Sequence, residues 1–253
     1  MFKNGLFACL LFPFFLYTTC VSNMDLRPAQ NLPQLNAEFS FSTDYDHWEG
    51  DFTDYPVDGE SVYELGWGWE NLPASIICEN GMVLEKGLFL SGNNHSDDLF
   101  MFARRKIEGL KPQTWYAVNV SILIESNVAE NVIGIGGSPG ESVYFKVGAS
   151  TEEPQKVLIN GFYHLTIDKG NQSQGGQNAA VVGNLANAAV DPGDPKYLPK
   201  ALCTENALLV ETNQQGEIWI FLGTDSGFEG TTKFYIAQIT LQIELFNHKP
   251  EFA

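Results

Sequence analysis

The stretch GNNHSDDLFMF, residues 92–102, gathers His95, Asp97 and Asp98 in one polar loop directly ahead of an apolar run. Neutral imidazole beside carboxylates can bind a transition metal, and a His–Asp pair can act as a general base. Asn94 adds an amide that could orient a ligand. A structural zinc site, however, wants four ligands, commonly with cysteine or several histidines, and His47, His164 and His248 are scattered along the chain. Asn93, Asn94, Ser96 and Asp97 are also what a tight loop selects for its own hydrogen bonds. The stretch is therefore read first as a strand connection and second as a ligand-contacting loop, because sandwich loops often carry recognition.

Two further stretches could do chemistry. In DYDHWEGDFTDYPVDGE, Asp44 and Asp46 stand two apart and would share a face of an extended strand, with Glu49 and Asp51 nearby. Carboxylates so placed suit calcium, although Trp48 at the third ligand position excludes an EF-hand. The alternative is a solvated acidic face. In YELGWGWE, Trp67 and Trp69 point to one side if the segment is extended, with Glu70 or Glu64 able to take hydroxyl hydrogen bonds. Such indoles can stack on sugar rings, or they can simply be core. Trp115 and Trp219 lie in stronger strand patterns and are expected in the core.

Two apparent nucleophile motifs fail on chemistry. GGSPG, Gly136–Gly140, matches G-x-S-x-G, but the residue after the serine is Pro139, which has no N–H to offer an oxyanion hole. TDSG, Thr224–Gly227, lacks a companion His–Asp arrangement and reads as a turn.

The elements that must position these residues are strands. WYAVNVSILIE alternates cleanly, with Tyr116, Val118, Val120, Ile122 and Ile124 on one face. YIAQITLQIEL predicts Tyr235, Ala237, Ile239, Leu241, Ile243 and Leu245 facing inward. GLFLSG, LFMFARRKI, SVYFKVG, FYHLTID, ALLVET and EIWIFLG are further short runs rich in aromatic and β-branched residues. Many short strands without intervening helices predict an all-β, antiparallel sandwich or barrel. The Gly/Asn/Gln-rich segment 169–203 is longer than an ordinary connection and reads as a loop insertion.

The first residues carry a basic start, an apolar stretch from Leu6 to Tyr17 and small residues to Ser22, the pattern of a secretory signal peptide. Lipid attachment at Cys20 is the rival, with Tyr17 in the place where an aliphatic residue is wanted. The expected division is a signal at 1–22, a linker at 23–38, one sandwich domain at 39–247 and a tail at 248–253. No later segment is long and apolar enough to cross a membrane. Cys78 and Cys203 then remain as the mature pair, either bridged in an oxidising compartment or buried as thiols. The 253-residue chain has a formal net charge of −17, and between Arg27 and Lys86 it has twelve acids and no Lys or Arg. That charge disfavours nucleic-acid and anionic-membrane partners.

FSFSTDYDHW, IEGLKPQTWYAVNVSI and TTKFYIAQITLQI, in that order, resemble the jelly-roll β-sandwiches of carbohydrate-binding modules and galactose-binding-like domains. GLKPQTWY alone is similar to the turn before a strand in fibronectin type III domains. SGNNHSDD, GIGGSPGES, IDKGNQSQGG and GTDSGFEGTT together resemble a family of bacterial secreted proteins and lipoproteins with no assigned function, over most of residues 39–245. The first resemblance implies a jelly roll and a carbohydrate ligand. Where such modules often carry calcium-binding acids after the last aromatic pair, this chain has Ala237 and Gln238.

The expected function is an exported, non-catalytic glycan-binding module, with Trp67, Trp69, Glu70, Asn94, His95, Asp97 and Asp98 as candidate ligand contacts. The alternatives are an envelope or matrix protein-interaction module, and a hydrolase or lyase using paired carboxylates on an extracellular polymer.

Overall fold

The computed structural model describes residues 34–247 and Pro250. The elements up to the middle of the chain are β1 (Gln34–Phe39), β2 (Glu49–Thr53), β3 (Tyr55–Pro56), the single helical turn α1 (Glu60–Tyr63), β4 (Gly66–Ile77), β5 (Val83–Asn93), β6 (Leu99–Ile107) and β7 (Trp115–Ser126). They continue as β8 (Val143–Ser150), β9 (Lys156–Ile159), β10 (Phe162–Leu165), β11 (Ala179–Asn184), β12 (Leu198–Cys203), β13 (Leu208–Glu211), β14 (Ile218–Ser226) and β15 (Thr231–Leu245). A seven-stranded sheet runs β12-β7-β15-β5-β4, with β1 also on β15 and β13 also on β7. A five-stranded sheet runs β11-β8-β14-β6-β2, and β3, β10 and β9 form a small third sheet. The strand pairs within all three sheets are antiparallel, so the expected β-sandwich is what the chain forms.

The core lies between the two large sheets. Tyr116, Val118, Val120, Ile122 and Ile124 of β7 all bury in it, as their alternation predicts, together with Phe145 and Val147 of β8 and Ile220 and Leu222 of β14. Burying each such side chain contributes roughly 1.5–3 kcal/mol relative to exposure. The Tyr116 hydroxyl accepts the Lys111 N–H at 3.0 Å, which fixes the turn that launches β7.

β15 corrects the expected facing. Its register shifts between Ile236 and Gln238. Phe234 and Ile236 fill the core ahead of that bulge, and Ile239, Leu241 and Ile243 fill it afterward. One inserted residue reverses side-chain parity, so Tyr235 and Ala237 face outward into a separate apolar cluster with Leu72 and Leu84.

Other expectations change as well. Residues 34–39, the end of the expected linker and start of the domain, form β1 against β15. Segment 169–203 is no simple loop, since it supplies edge strands β11 and β12, one to each large sheet. Trp115 and Trp219 are only partly buried, whereas Trp48 is fully buried. Cys78 follows edge strand β4 and Cys203 ends the opposite edge strand β12. Four strand spacings separate these edges, about 19 Å at 4.8 Å each, beyond the reach of a disulfide. No bridge joins them. The signal peptide, Cys20 and most of the expected linker lie outside the described residues. Among the described residues no helix is long and apolar enough to cross a membrane.

Candidate functional site

The 94–98 connection does not join a hairpin within one sheet. It crosses from β5 of the seven-stranded sheet to β6 of the five-stranded one. Buried Asn94 clips it down, its Nδ2 donating to the Ser226 and Phe228 carbonyls at 2.9 Å each. His95 is exposed, with Nε2 3.2 Å from the Val62 carbonyl and its ring edge-on to Tyr63. Asp97 has a left-handed backbone, and its carbonyl accepts Gln172 Nε2 at 2.8 Å. Asp98 lines a cavity, with Oδ1 sealed from solvent and lacking a hydrogen-bond partner. Burial first, and then the charge of Asp54, push its carboxyl up to about 6. His95, Asp97 and Asp98 thus meet three different surroundings.

Behind Asp98 runs a buried chain of charges that sequence reasoning missed. Asp225 Oδ2 takes Lys146 Nζ and Lys169 Nζ at 2.8 Å each, with Lys146 and Asp225 fully buried. Lys146 also donates to the Lys169 and Gln174 carbonyls. Lys169 reaches Asp54 Oδ2 at 3.1 Å, and Asp54 Oδ1 meets His164 Nδ1 at 3.1 Å. Burial depresses the Lys146 ammonium despite Asp225. For Lys169 burial also opposes the charge, but Asp225 and Asp54 together outweigh it and hold its pKa above the ordinary value. The alternation of β8 and β14 carries the signal, because Lys146 and Asp225 fall on the face opposite the core residues.

Asp44 and Asp46 do not share a strand face. The segment turns, with Asp46 at φ +45°, the Asp46 N–H bonded to Asp44 Oδ1, and Asp46 Oδ1 paired with Arg105 at 2.9 Å. Among the described residues no group of three or more His, Cys, Asp and Glu side chains could hold a metal.

The tryptophan pair and Glu70 separate across β4. Trp69 packs against the core, donating Nε1–H to the Phe41 carbonyl at 2.7 Å, while Lys86 sits 3.8 Å from its ring centre. Trp67, 40% exposed, lies over Gly50 of β2 with Tyr45 edge-on, covering the open side between the two sheets.

Glu70 points to the outer face of the seven-stranded sheet, where a second aromatic group stands. Phe89 leans across Gly68, the position left without a side chain between the tryptophans. Tyr235 is its cross-strand partner, with ring centres 6.4 Å apart, and Tyr197 meets Tyr235 edge-on at 5.1 Å. Lys233 Nζ sits 4.4 Å from the Phe89 ring centre and 4.9 Å from that of Tyr235, and donates to Glu70 Oε1 at 2.8 Å. That hydrogen bond, ahead of the opposing burial, holds the Glu70 carboxyl below its ordinary pKa. The result is a strip of two part-exposed aromatic rings, Phe89 and Tyr197, on either side of buried Tyr235, flanked by a cation on β15 and a carboxylate on β4, with β5 between those two strands.

No protein-family model matches the sequence, and no curated protein matches it. Solved structures do. The K1 adhesin domain of Lys-gingipain from Porphyromonas gingivalis has 12% identity and a TM-score of 0.38, covering 84% of this chain and 99% of that one. TmCBM27, a carbohydrate-binding module described for specific mannan recognition, has 13% identity and a TM-score of 0.34, covering 85% and 99%. A candidate sugar-binding protein from Bacteroides thetaiotaomicron has 10% identity and a TM-score of 0.37, covering 82% and 92%. The structural neighbours include carbohydrate-binding modules. Likenesses this distant reach no further than general architecture, which the strand order shows by itself.

Proposed function

We propose that this domain is an exported, non-catalytic module that binds glycans on the outer face of its seven-stranded sheet. The observation that carries the reading is the part-exposed Phe89 and Tyr197 rings on either side of buried Tyr235, with Lys233 and Glu70 at their flank. Aromatic faces take the apolar side of a sugar ring, and a part-exposed ammonium and carboxylate can donate to and accept from its hydroxyls. The Lys233 and Glu70 side chains are 34% and 42% exposed, so solvent and ligand can reach both. Trp67, beside Tyr45, offers a smaller aromatic surface at the edge of the sandwich. The test is binding of the whole chain to soluble polysaccharides, comparing wild type with Phe89→Ala and Lys233→Ala. Binding that both substitutions abolish supports the strip. Binding that neither changes moves the site elsewhere.

A protein-interaction role has one observation of its own. The β9–β10 hairpin exposes Leu158, Ile159 and Phe162 around its Asn160–Gly161 turn, an apolar tip of the kind that marks contact surfaces.

A further inference from the structure

The cavity beside the 94–98 connection is a built polar site distinct from the aromatic strip. It has a volume of about 210 Å³, and its polar walls are Asp54, Asp98, His164, Asp168, Lys169 and Asn171. That volume is below the roughly 300–1,000 Å³ of pockets for drug-sized molecules, so it suits a small ligand. Asp54 and Lys169 are both more than nine-tenths buried, and both are matched. Asp54 takes His164 and Lys169, and Lys169 also takes Asp225. Asp168 accepts the Gly170 and Gln177 N–H groups at 2.9 Å each.

Asp98 is the unmatched wall. Its Oδ1 is closed off with no donor, so the carboxylate meets the cavity through its other oxygen. Asp54, Asp225 and Asp97 add negative potential there, opposed by Lys169 through space. The two buried lysines are already committed to Asp54 and Asp225, so their charges balance within that chain. His164 Nδ1 lies 3.1 Å from Asp54 Oδ1, and in the tautomer that carries its proton on Nδ1 the Nε2 atom is an acceptor. The wall thus has acceptors to spare and lacks a counter-charge. A metal does not fit, since among the described residues no three His, Cys, Asp and Glu side chains are arranged to hold one.

We propose that this cavity binds a small organic cation through its primary ammonium group, with Asp98 as the counter-ion and His164 as a second acceptor. An ammonium supplies the missing charge and three N–H donors to a wall of acceptors. The source is an amino sugar or a simple alkylamine, and the two share this recognition.

The experiment is titration of the whole chain with methylamine hydrochloride, with glucosamine, and with glucose as the uncharged control, followed by calorimetry. At about pH 7.5 both amines saturate and glucose leaves this site empty. Binding falls at least about fivefold near pH 5, as Asp98 takes up a proton. Asp98→Asn weakens both amines by at least about tenfold, and His164→Gln weakens them less. Unfolding temperatures measured on the same samples separate lost binding from lost fold, and Asp98→Asn keeps its fold because it removes a part-buried charge and keeps the shape of the side chain. Glucosamine binding tighter than methylamine assigns an amino sugar, and equal binding assigns a simple amine. Methylamine has no sugar ring for the aromatic face to take, so its binding reports on this site alone and failure of the glycan reading and failure of this site are told apart. No saturable amine binding by wild type, or wild-type affinity in Asp98→Asn, overturns the proposal.

Discussion

The Tyr235 hydroxyl donates to Glu70 Oε1 at 2.9 Å. The two residues lie on β15 and edge strand β4, with β5 between them. This bond spans the outer face of the sheet and ends on the same oxygen that takes Lys233. It exists because the bulge at Ala237 turns Tyr235 away from the core. A sequence with the same apolar residues and no bulge would bury Tyr235 and leave Glu70 without this partner.

Trp67 separates the edge surface from the strip. Its ring occupies the space where a Cβ on Gly50 would lie, 2.5 Å from Trp67 Cγ. Trp67→Ala should lower stability by about 1–2 kcal/mol through lost packing, and polysaccharide affinity should stay within about twofold. Denaturant melts and binding isotherms on one preparation check both. A large loss of affinity with unchanged stability would put the ligand on Trp67 and Tyr45.

Glu125 makes stability depend on pH. It is fully buried on the outer face of β7, and neither carboxyl oxygen has a hydrogen-bond partner. Burial pushes its carboxyl from 4.5 up to about 7, with the nearby Ala74 peptide offsetting only part. Tyr235 is its cross-strand partner. The folded chain then keeps a proton that the unfolded chain releases between pH 4.5 and about 7. Stability therefore falls as pH rises through that window and levels off above it. Glu125→Gln should be more stable than wild type by on the order of 3 kcal/mol at high pH, with the gap closing below the lower end. Chemical denaturation across that range measures it, and parallel curves for the two proteins would contradict it.

The Lys146–Asp225 pair predicts a large loss when one partner goes. Lys146→Met strips Asp225 of one of its two ammonium partners and leaves the Lys169 and Gln174 carbonyls without that donor. The expected loss is about 3–5 kcal/mol, read as a lower urea midpoint. A double change, Lys146→Met with Asp225→Leu, should recover part of it.

Gly148 of β8 lies beneath the Phe221 ring, where a Cβ would come within 2.0 Å of Phe221 Cζ. Gly148→Ala should therefore destabilise by roughly 1–3 kcal/mol from overpacking, and Gly148→Ala with Phe221→Leu should lose less than either effect alone implies. A thermal melt of the two variants decides it.

Alternation made the core strands legible, and β7 follows its pattern residue for residue. β15 departs from its pattern because a bulge leaves no trace in a two-residue period, so Tyr235 lies on the face opposite the one its alternation predicts. The sharing of strands between sheets was also hidden. Nothing local in SGNNHSDD says that β5 and β6 join different sheets, yet that crossing is what sends Asp98 into a cavity and His95 to solvent. The buried charge chain draws on Asp54, Lys146, His164, Lys169 and Asp225, which only the tertiary fold brings together. Trp67, Trp69 and Glu70 lie on one strand, but β4's own alternation places Glu70 on the face opposite the two rings.

The most direct measurement is a glycan array probed with wild type and with a Phe89→Ala, Lys233→Ala double variant, in calcium and in EDTA. Glycan binding by wild type in both buffers, reduced at least about tenfold in a double variant of unchanged fold, is the predicted result. Equal binding by the two proteins, or no binding by a folded wild type, would contradict a glycan site on the outer face of the seven-stranded sheet.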